Sequence, residues 1–406
     1  MSTRQFSNRW SNPLFPPDKI SEIRSIQIEL EKKGIKTFAT HIGAPVPRIE
    51  NYFPALYEKT NKILEKLTLS YGNLQGEQEL REAYSALRTN VSSKNVVVND
   101  GGASKSIGNV LQLIVDTNKT EVVRPEPGWV VYDFIINSQS GLAVPVKFFD
   151  DSGNFTAENL ETKVNKNTAA ILVTTPDNPT GRVINQEDYE KIEKIAAKND
   201  TWIILDEVYW HLNFTGQIKE LITNYEQTIR LDSTSKWPAA PGIGLGIMIT
   251  QDNDYIKNKY GVSALEALTR INRGQGTIRK PSQAMALAIF NELNENPDLL
   301  SKITESQNKR RNAVLEDLKI PLSEIGWKLL GNLDGAIYAC FETGINNPEY
   351  AKTFLQKTGI APVPWGSGLI RLCYGAVSLE EIKDMSQIIK HKKDELQNMY
   401  NDFRKN

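Results

Sequence analysis

From residue 96 onward the chain alternates short, nearly continuous apolar runs with stretches of helical spacing. No other feature narrows the possible folds as much. The runs are Val96–Val98, Glu121–Val123, Ala143–Phe149, Ala169–Val173, Trp202–Leu205, Ile229–Leu231 and Ile247–Ile249. Helical patterns occupy 104–116, 128–138 and 186–199 between them. A strand that is apolar on both sides must be covered on both faces. A helix between two strands carries the chain back so that the next strand runs parallel. The expectation is an α/β fold: a mainly parallel sheet sandwiched by helices, forming a large domain. Ligands of such sheets lie outside the carboxyl ends of the strands. Gly101-Gly102, Asn178, Asp206 and Lys236 all fall at those ends.

The flanks read differently. Residues 1–17, polar and rich in proline, read as an extended N-terminal arm. Helical spacing runs from Asp18 to Lys33 and stops at Gly34, and a second helix is expected over 52–69. After about 280 come long helices (281–294, 298–317), short strands (327–330, 336–341, 369–374) and one helix over 379–403. These ends are expected to pair as a smaller α+β domain, 18–50 with 281–406, around a large domain at 51–280. A chain of 406 residues is long enough for two cores.

Composition closes off several function classes. A net charge of −1 recruits neither nucleic acid nor anionic lipid. No apolar run is long enough to span a bilayer, and the N-terminus has no apolar core of a signal peptide. Two cysteines, Cys340 and Cys373, make no disulfide framework, so a reducing, cytoplasmic setting is expected. The three histidines are scattered without metal-ligand spacing.

The strand-end segments carry the chemistry. Asp100-Gly101-Gly102-Ala103-Ser104 opens a helix whose amides can meet an anion. Trp129 follows the next strand and can stack on a flat ring. Pro176-Asp177-Asn178-Pro179-Thr180-Gly181 turns an amide into the cleft. Asp206, at the end of an apolar run, needs a cationic partner, and Tyr209 lies three residues on. Ser233-Thr234-Ser235-Lys236 sits on a tight connection between two apolar runs, where a desolvated amine becomes a nucleophile.

In this order, and followed by Arg371, these segments resemble the class I and II aminotransferases over about residues 35–400. Those are pyridoxal-phosphate enzymes of the aspartate aminotransferase fold, fold type I. The resemblance implies that Lys236 forms the Schiff base with pyridoxal 5'-phosphate and moves the substrate Cα proton. It implies that Asp206 pairs with the pyridine N–H, that Tyr209 and Asn178 bond the ring oxygen, and that Trp129 stacks on the ring. Gly102, Ala103, Ser104, Ser233 and Ser235 match the phosphate cradle, and Tyr71 the tyrosine reaching the neighbouring subunit's phosphate. Arg371 matches the clamp on the substrate α-carboxylate, with Gly43 in the substrate loop and Asn178 beside it. Amino acid and keto acid substrates follow, as does a homodimer with shared active sites.

One position departs from the pattern. The family usually carries arginine eight residues after the lysine, and here that residue is Gly244. Arg273, Arg279 and Lys105 are candidates for the missing phosphate cation. The departure leaves room for other pyridoxal-phosphate reactions on an amino acid: oxidation or deamination, elimination, decarboxylation, cyclisation. A serine acyl-transfer reading of Ser233-Thr234-Ser235-Lys236 with Lys357-Thr358-Gly359 lacks its third motif, and a purely regulatory module would not need the full catalytic set.

Overall fold

The computed structural model describes residues 19–68, 70–150, 152–216, 220–251 and 254–405. The expected arm at 1–17 lies outside them. Seven strands form the large sheet: β1 (Val96–Asp100), β2 (Glu121–Pro125), β3 (Leu142–Val146), β4 (Thr168–Thr174), β5 (Trp202–Asp206), β6 (Thr228–Ser233) and β7 (Leu245–Thr250). Their order is β1-β7-β6-β5-β4-β2-β3. Only β7 runs against its neighbours, β1 and β6. The sheet is therefore mostly parallel, and β4 to β7 are buried along their whole length.

Both faces are covered, as continuous apolar strands require. Helix Gly102–Ile114 packs Ile107, Val110 and Leu111 with Val97, Leu172 and Ile204 on one face. Helix Gln186–Lys198 packs Tyr189, Ile192 and Ile195 with Ile171, Val173 and Ile203 on the other. Alternate residues of one strand thus serve two separate cores.

A second sheet contains β8 (Lys328–Leu329), β9 (Tyr338–Glu342), β10 (Val363–Gly366) and β11 (Leu369–Cys373). It is antiparallel, in the order β10-β11-β9-β8. β10 has no alternating pattern to betray it. It holds Pro364, which an edge strand tolerates because one side of its backbone makes no ladder bond. Two expected helices also differ. The pattern at 52–69 resolves into Ile49–Tyr52 and Leu56–Leu64, because Pro54 cannot continue a helix and holds Phe53 extended at φ −129°. The C-terminal helix is two, Leu379–His391 and Lys393–Lys405.

The segment before residue 44 belongs with the second sheet. Phe38 bridges Ile360, and the Thr40 carbonyl accepts from the Cys373 amide at 2.7 Å. This pairing carries the 40–43 loop along β11 and over the large sheet's carboxyl edge. No helix among the described residues is long and apolar enough to cross a membrane.

Candidate active site

Strand register decides which side chains meet. Thr174 pairs with Asp206 and Asp206 with Leu231, while Ser233 pairs with Gly246 and Asp100 with Leu245. The loops after β1, β4, β5 and β6 therefore leave one edge of the sheet together. A cavity of about 380 Å³ lies above that edge. It is lined by Gly43, Gly102, Ala103, Ser104, Trp129, Asn178, Asp206, Tyr209, Ser233, Ser235, Lys236 and Arg371. Every site residue expected from the sequence lies here except Tyr71, which is 91% exposed and away from this cavity.

Lys236 is half-buried, and its Nζ donates to the Gly43 carbonyl at 2.5 Å. The same nitrogen lies 5.9 Å from the centre of the Tyr209 ring. Gly43 has no room for a side chain, since a Cβ there would stand 2.9 Å from the Tyr338 hydroxyl. That hydroxyl in turn bonds the Tyr209 hydroxyl at 2.9 Å. The amine, the loop and the two phenols thus form one connected wall.

Asp206 is buried at the end of β5. Its Oδ2 accepts from the Tyr132 hydroxyl at 2.9 Å, and Tyr132 shares a 2.6 Å bond with Thr174. Burial pushes the carboxyl up to about 6, with the Tyr132 bond opposing. No arginine or lysine among the described residues forms an ion pair with it. A carboxylate so placed is set to take its counter-charge from a ligand.

Arg371, on β11, is buried between the rings of Tyr338 and Trp365, each 4.4 Å from the guanidinium carbon. It donates to Asn178 Oδ1 at 3.4 Å and to the His41 carbonyl at 3.1 Å, and its Nε has no partner. Trp365 is itself fixed by a bond from its indole N–H to the Gly128 carbonyl at 2.8 Å. The guanidinium is held flat and only part-satisfied, as a carboxylate clamp needs.

At the other end, Gly101 and Gly102 take positive φ of 107° and 68°. Their amides both donate to the Gly244 carbonyl, at 2.7 and 2.9 Å. The Gly102 amide, expected in the phosphate cradle, is thereby occupied. Ala103 and Ser104 follow in the first turn, where amides have no intrahelical acceptor. Ser233 Oγ accepts from the Ser235 amide at 3.2 Å.

Two partners escaped the sequence. Tyr132 reads from the sequence only as one of several aromatics that core packing explains equally well, and its bond to Asp206 has no local sign. Tyr338 contacts Gly43 across 295 positions, with no local sign at all. Trp210 and Trp237, aromatics near the lysine, face the core: Trp237 is 0% exposed and donates to Asp232. The residues present fit pyridoxal 5'-phosphate: an amine, a buried carboxylate lacking a cation, a flat aromatic, helix amides and an open cavity.

The model of the family described as aminotransferase class I and II matches residues 50–389. The chain is 29% identical over 392 residues to the (5-formylfuran-3-yl)methyl phosphate transaminase of Methanocaldococcus jannaschii, covering 93% of this chain and 96% of that one. It is 26% identical over 388 residues to the aspartate aminotransferase of Thermotoga maritima, covering 91% and 94%. The crystal structure of the Thermotoga maritima aspartate aminotransferase superposes with a TM-score of 0.81 at 24% identity, over 96% of this chain and 100% of that one.

Proposed function

The chain belongs to the class I and II aminotransferases, and on that premise we propose roles for its own residues. It is a pyridoxal-phosphate-dependent enzyme that moves an amino group between an amino acid and a keto acid. The bound cofactor supplies a carbonyl carbon for the amine and a protonated ring that takes up the electrons of the Cα–H bond. Lys236 Nζ is the amine that holds the cofactor covalently and then takes the proton from the substrate Cα. Asp206 stays ionised against the protonated ring nitrogen, and Tyr132 fixes the carboxylate's orientation. Tyr209 and Asn178 would hold the ring oxygen and Trp129 would hold the ring. Arg371 binds the α-carboxylate, with Trp365 and Tyr338 excluding water from both faces of the guanidinium.

The observation that carries this reading is Asp206: a buried carboxylate at a cavity wall that makes no ion pair among the described residues, 30 residues before a lysine that lines the same cavity. The two-lobed reading, with 18–50 and 281–406 set against 51–280, puts Arg371 and Lys236 on opposite sides of the cleft. A homodimer with shared active sites would give the exposed Tyr71 a partner cavity to reach. The two buried free cysteines suit a cytoplasmic setting.

The test is a screen of amino donors on the purified holoenzyme, with and without a keto-acid acceptor. Keto acid release that depends on the acceptor is expected. Release with ammonia or peroxide and no acceptor would replace transamination with another reaction. Lys236→Ala should reduce turnover to background and abolish the cofactor that borohydride fixes to the chain. Retention of that covalent label would reject Lys236.

A further inference from the structure

The phosphate end of the cavity is short of positive charge. It is lined by Gly101, Gly102, Ala103, Ser104, Ser233, Ser235 and Gly244, all neutral. The cavity's lysine and arginine are engaged elsewhere: Lys236 at the Gly43 carbonyl and Arg371 at Asn178 and His41. Two of the glycine amides are spent on Gly244. A helix N-terminus with two hydroxyls offers partial charge only, whereas a phosphate dianion leaving water calls for a full counter-charge. Asp100, one residue before Gly101, adds a negative charge to the same turn.

We propose that Arg279 supplies the missing cation for the cofactor phosphate, from its tether on Asp100. The proposal rests on the cofactor reading above. The Arg279 amide donates to Asp100 Oδ2 at 2.9 Å, so its backbone is fixed to the turn that leads into Gly101-Gly102. Its Nε lies 3.3 Å from Asp100 Oδ1. No hydrogen bond from its Nη groups is formed among the described residues, and its side chain is 65% exposed. A guanidinium paired with Asp100 offsets that carboxylate's charge, and its exposed end is open to a second oxyanion. Gly244 leaves the space open: a Cβ there would meet nothing within 4 Å. The rivals are less well placed. Arg273 is exposed in the last turn of helix Ala264–Gln275 and, among the described residues, has no bond to the β1 turn. Lys105 is exposed in the first turn of helix Gly102–Ile114, and no bond among the described residues fixes its head.

The experiment compares two aldehydes that differ only in the phosphate. Cofactor-free protein is titrated with pyridoxal 5'-phosphate and with pyridoxal, read by absorbance of the bound chromophore, and the ratio of the two Kd values is taken. Arg279→Ala should shrink that ratio about 10- to 100-fold, the size of a lost charge-assisted contact. Affinity for pyridoxal should not change, and Arg279→Lys should recover part of the ratio. Asp100→Asn removes a negative charge while keeping an oxygen that can accept the Arg279 amide, so the ratio should hold or rise. Arg273→Ala and Lys105→Ala should leave it unchanged. An unchanged ratio in Arg279→Ala, equal weakening of both ligands, a collapse in Lys105→Ala, or a collapse in Asp100→Asn as large as in Arg279→Ala would each overturn the assignment. A wild-type protein that bound neither aldehyde would instead reject the cofactor reading.

Discussion

Asp206 and Glu207 are consecutive and both buried, yet they meet opposite surroundings. Successive residues at a strand end point to opposite sides. Asp206 faces the cavity, accepts one phenol, and is pushed up to about 6 by burial. Glu207 faces the core below. There burial also pushes upward, but the Arg230 and Arg88 guanidiniums outweigh it and hold the carboxyl below its ordinary value. Arg230 bonds both Glu207 oxygens, at 2.7 and 3.1 Å. Arg88, with a fully buried side chain, reaches Glu207, Glu220 and Asp232 at 3.0–3.2 Å and stacks on Trp210. Asp232 also accepts from Tyr84 and Trp237, and so anchors the β6 end just before Lys236. The contrast separates structure from chemistry. A buried charge with built-in partners holds the scaffold, and one without them is waiting for a ligand.

The strongest way to break this contrast is to disarm the lower cluster. Arg88→Met leaves Asp232 without its guanidinium and Glu207 with one instead of two. A loss of about 3–5 kcal/mol is expected, read as a lower denaturation midpoint in urea. A loss below about 1 kcal/mol would mean that water already reaches the cluster.

The next test turns on sign. The Asp206 pKa in the folded chain lies above its ordinary value, so in the cofactor-free protein its ionisation opposes folding. That penalty is absent below about pH 4, grows as pH rises through the unfolded value, and is complete above about 6. Cofactor-free Asp206→Asn should therefore be more stable than wild type at pH 7 by up to about 3 kcal/mol, with the gap closing near pH 4. Bound cofactor should reverse the order at pH 7. Glu207→Gln should do the opposite of Asp206→Asn and cost stability at pH 7, because its depressed pKa contributes stability above the unfolded value that is lost in acid. Melting curves at the two pH values decide both, and parallel behaviour of the two variants would erase the distinction.

The smallest expected effect sharpens the upper region. A Cβ at Gly246 would stand 2.4 Å from Ser106 Oγ and 2.5 Å from the Gly102 carbonyl. Gly246→Ala should cost about 1–3 kcal/mol through overpacking. It should also weaken cofactor binding, because the helix bearing Ala103 and Ser104 must lift off β7. Unchanged binding would show that this helix start is free to move.

The cavity residues of the large sheet were legible because each lies at or just after the end of a strand whose apolar run announces it. Lys236, Asp206, Asn178 and Trp129 follow β6, β5, β4 and β2 at short, fixed distances. Parallel strands then bring those ends to one edge without any further information. The partners that tune them were not legible. Tyr338, Trp365 and His41 come from the second sheet and its N-terminal companion, and their contacts depend on how two sheets meet rather than on local spacing. The helix break at Pro54 could be read from the proline, whereas β10 could not be read from its short Val-Pro-Trp-Gly segment.

By itself the sequence determined the class of fold and the chemical groups at the carboxyl edge, because periodicity and strand ends are local properties of a chain. Only the tertiary structure decided which buried carboxylate was left without a counter-charge. Asp206 and Glu207 are neighbours with similar side chains. What separates them is that Arg88 and Arg230 arrive on one side of the sheet and not on the other, and charge pairing at a few ångströms is set by packing, not by order along the chain.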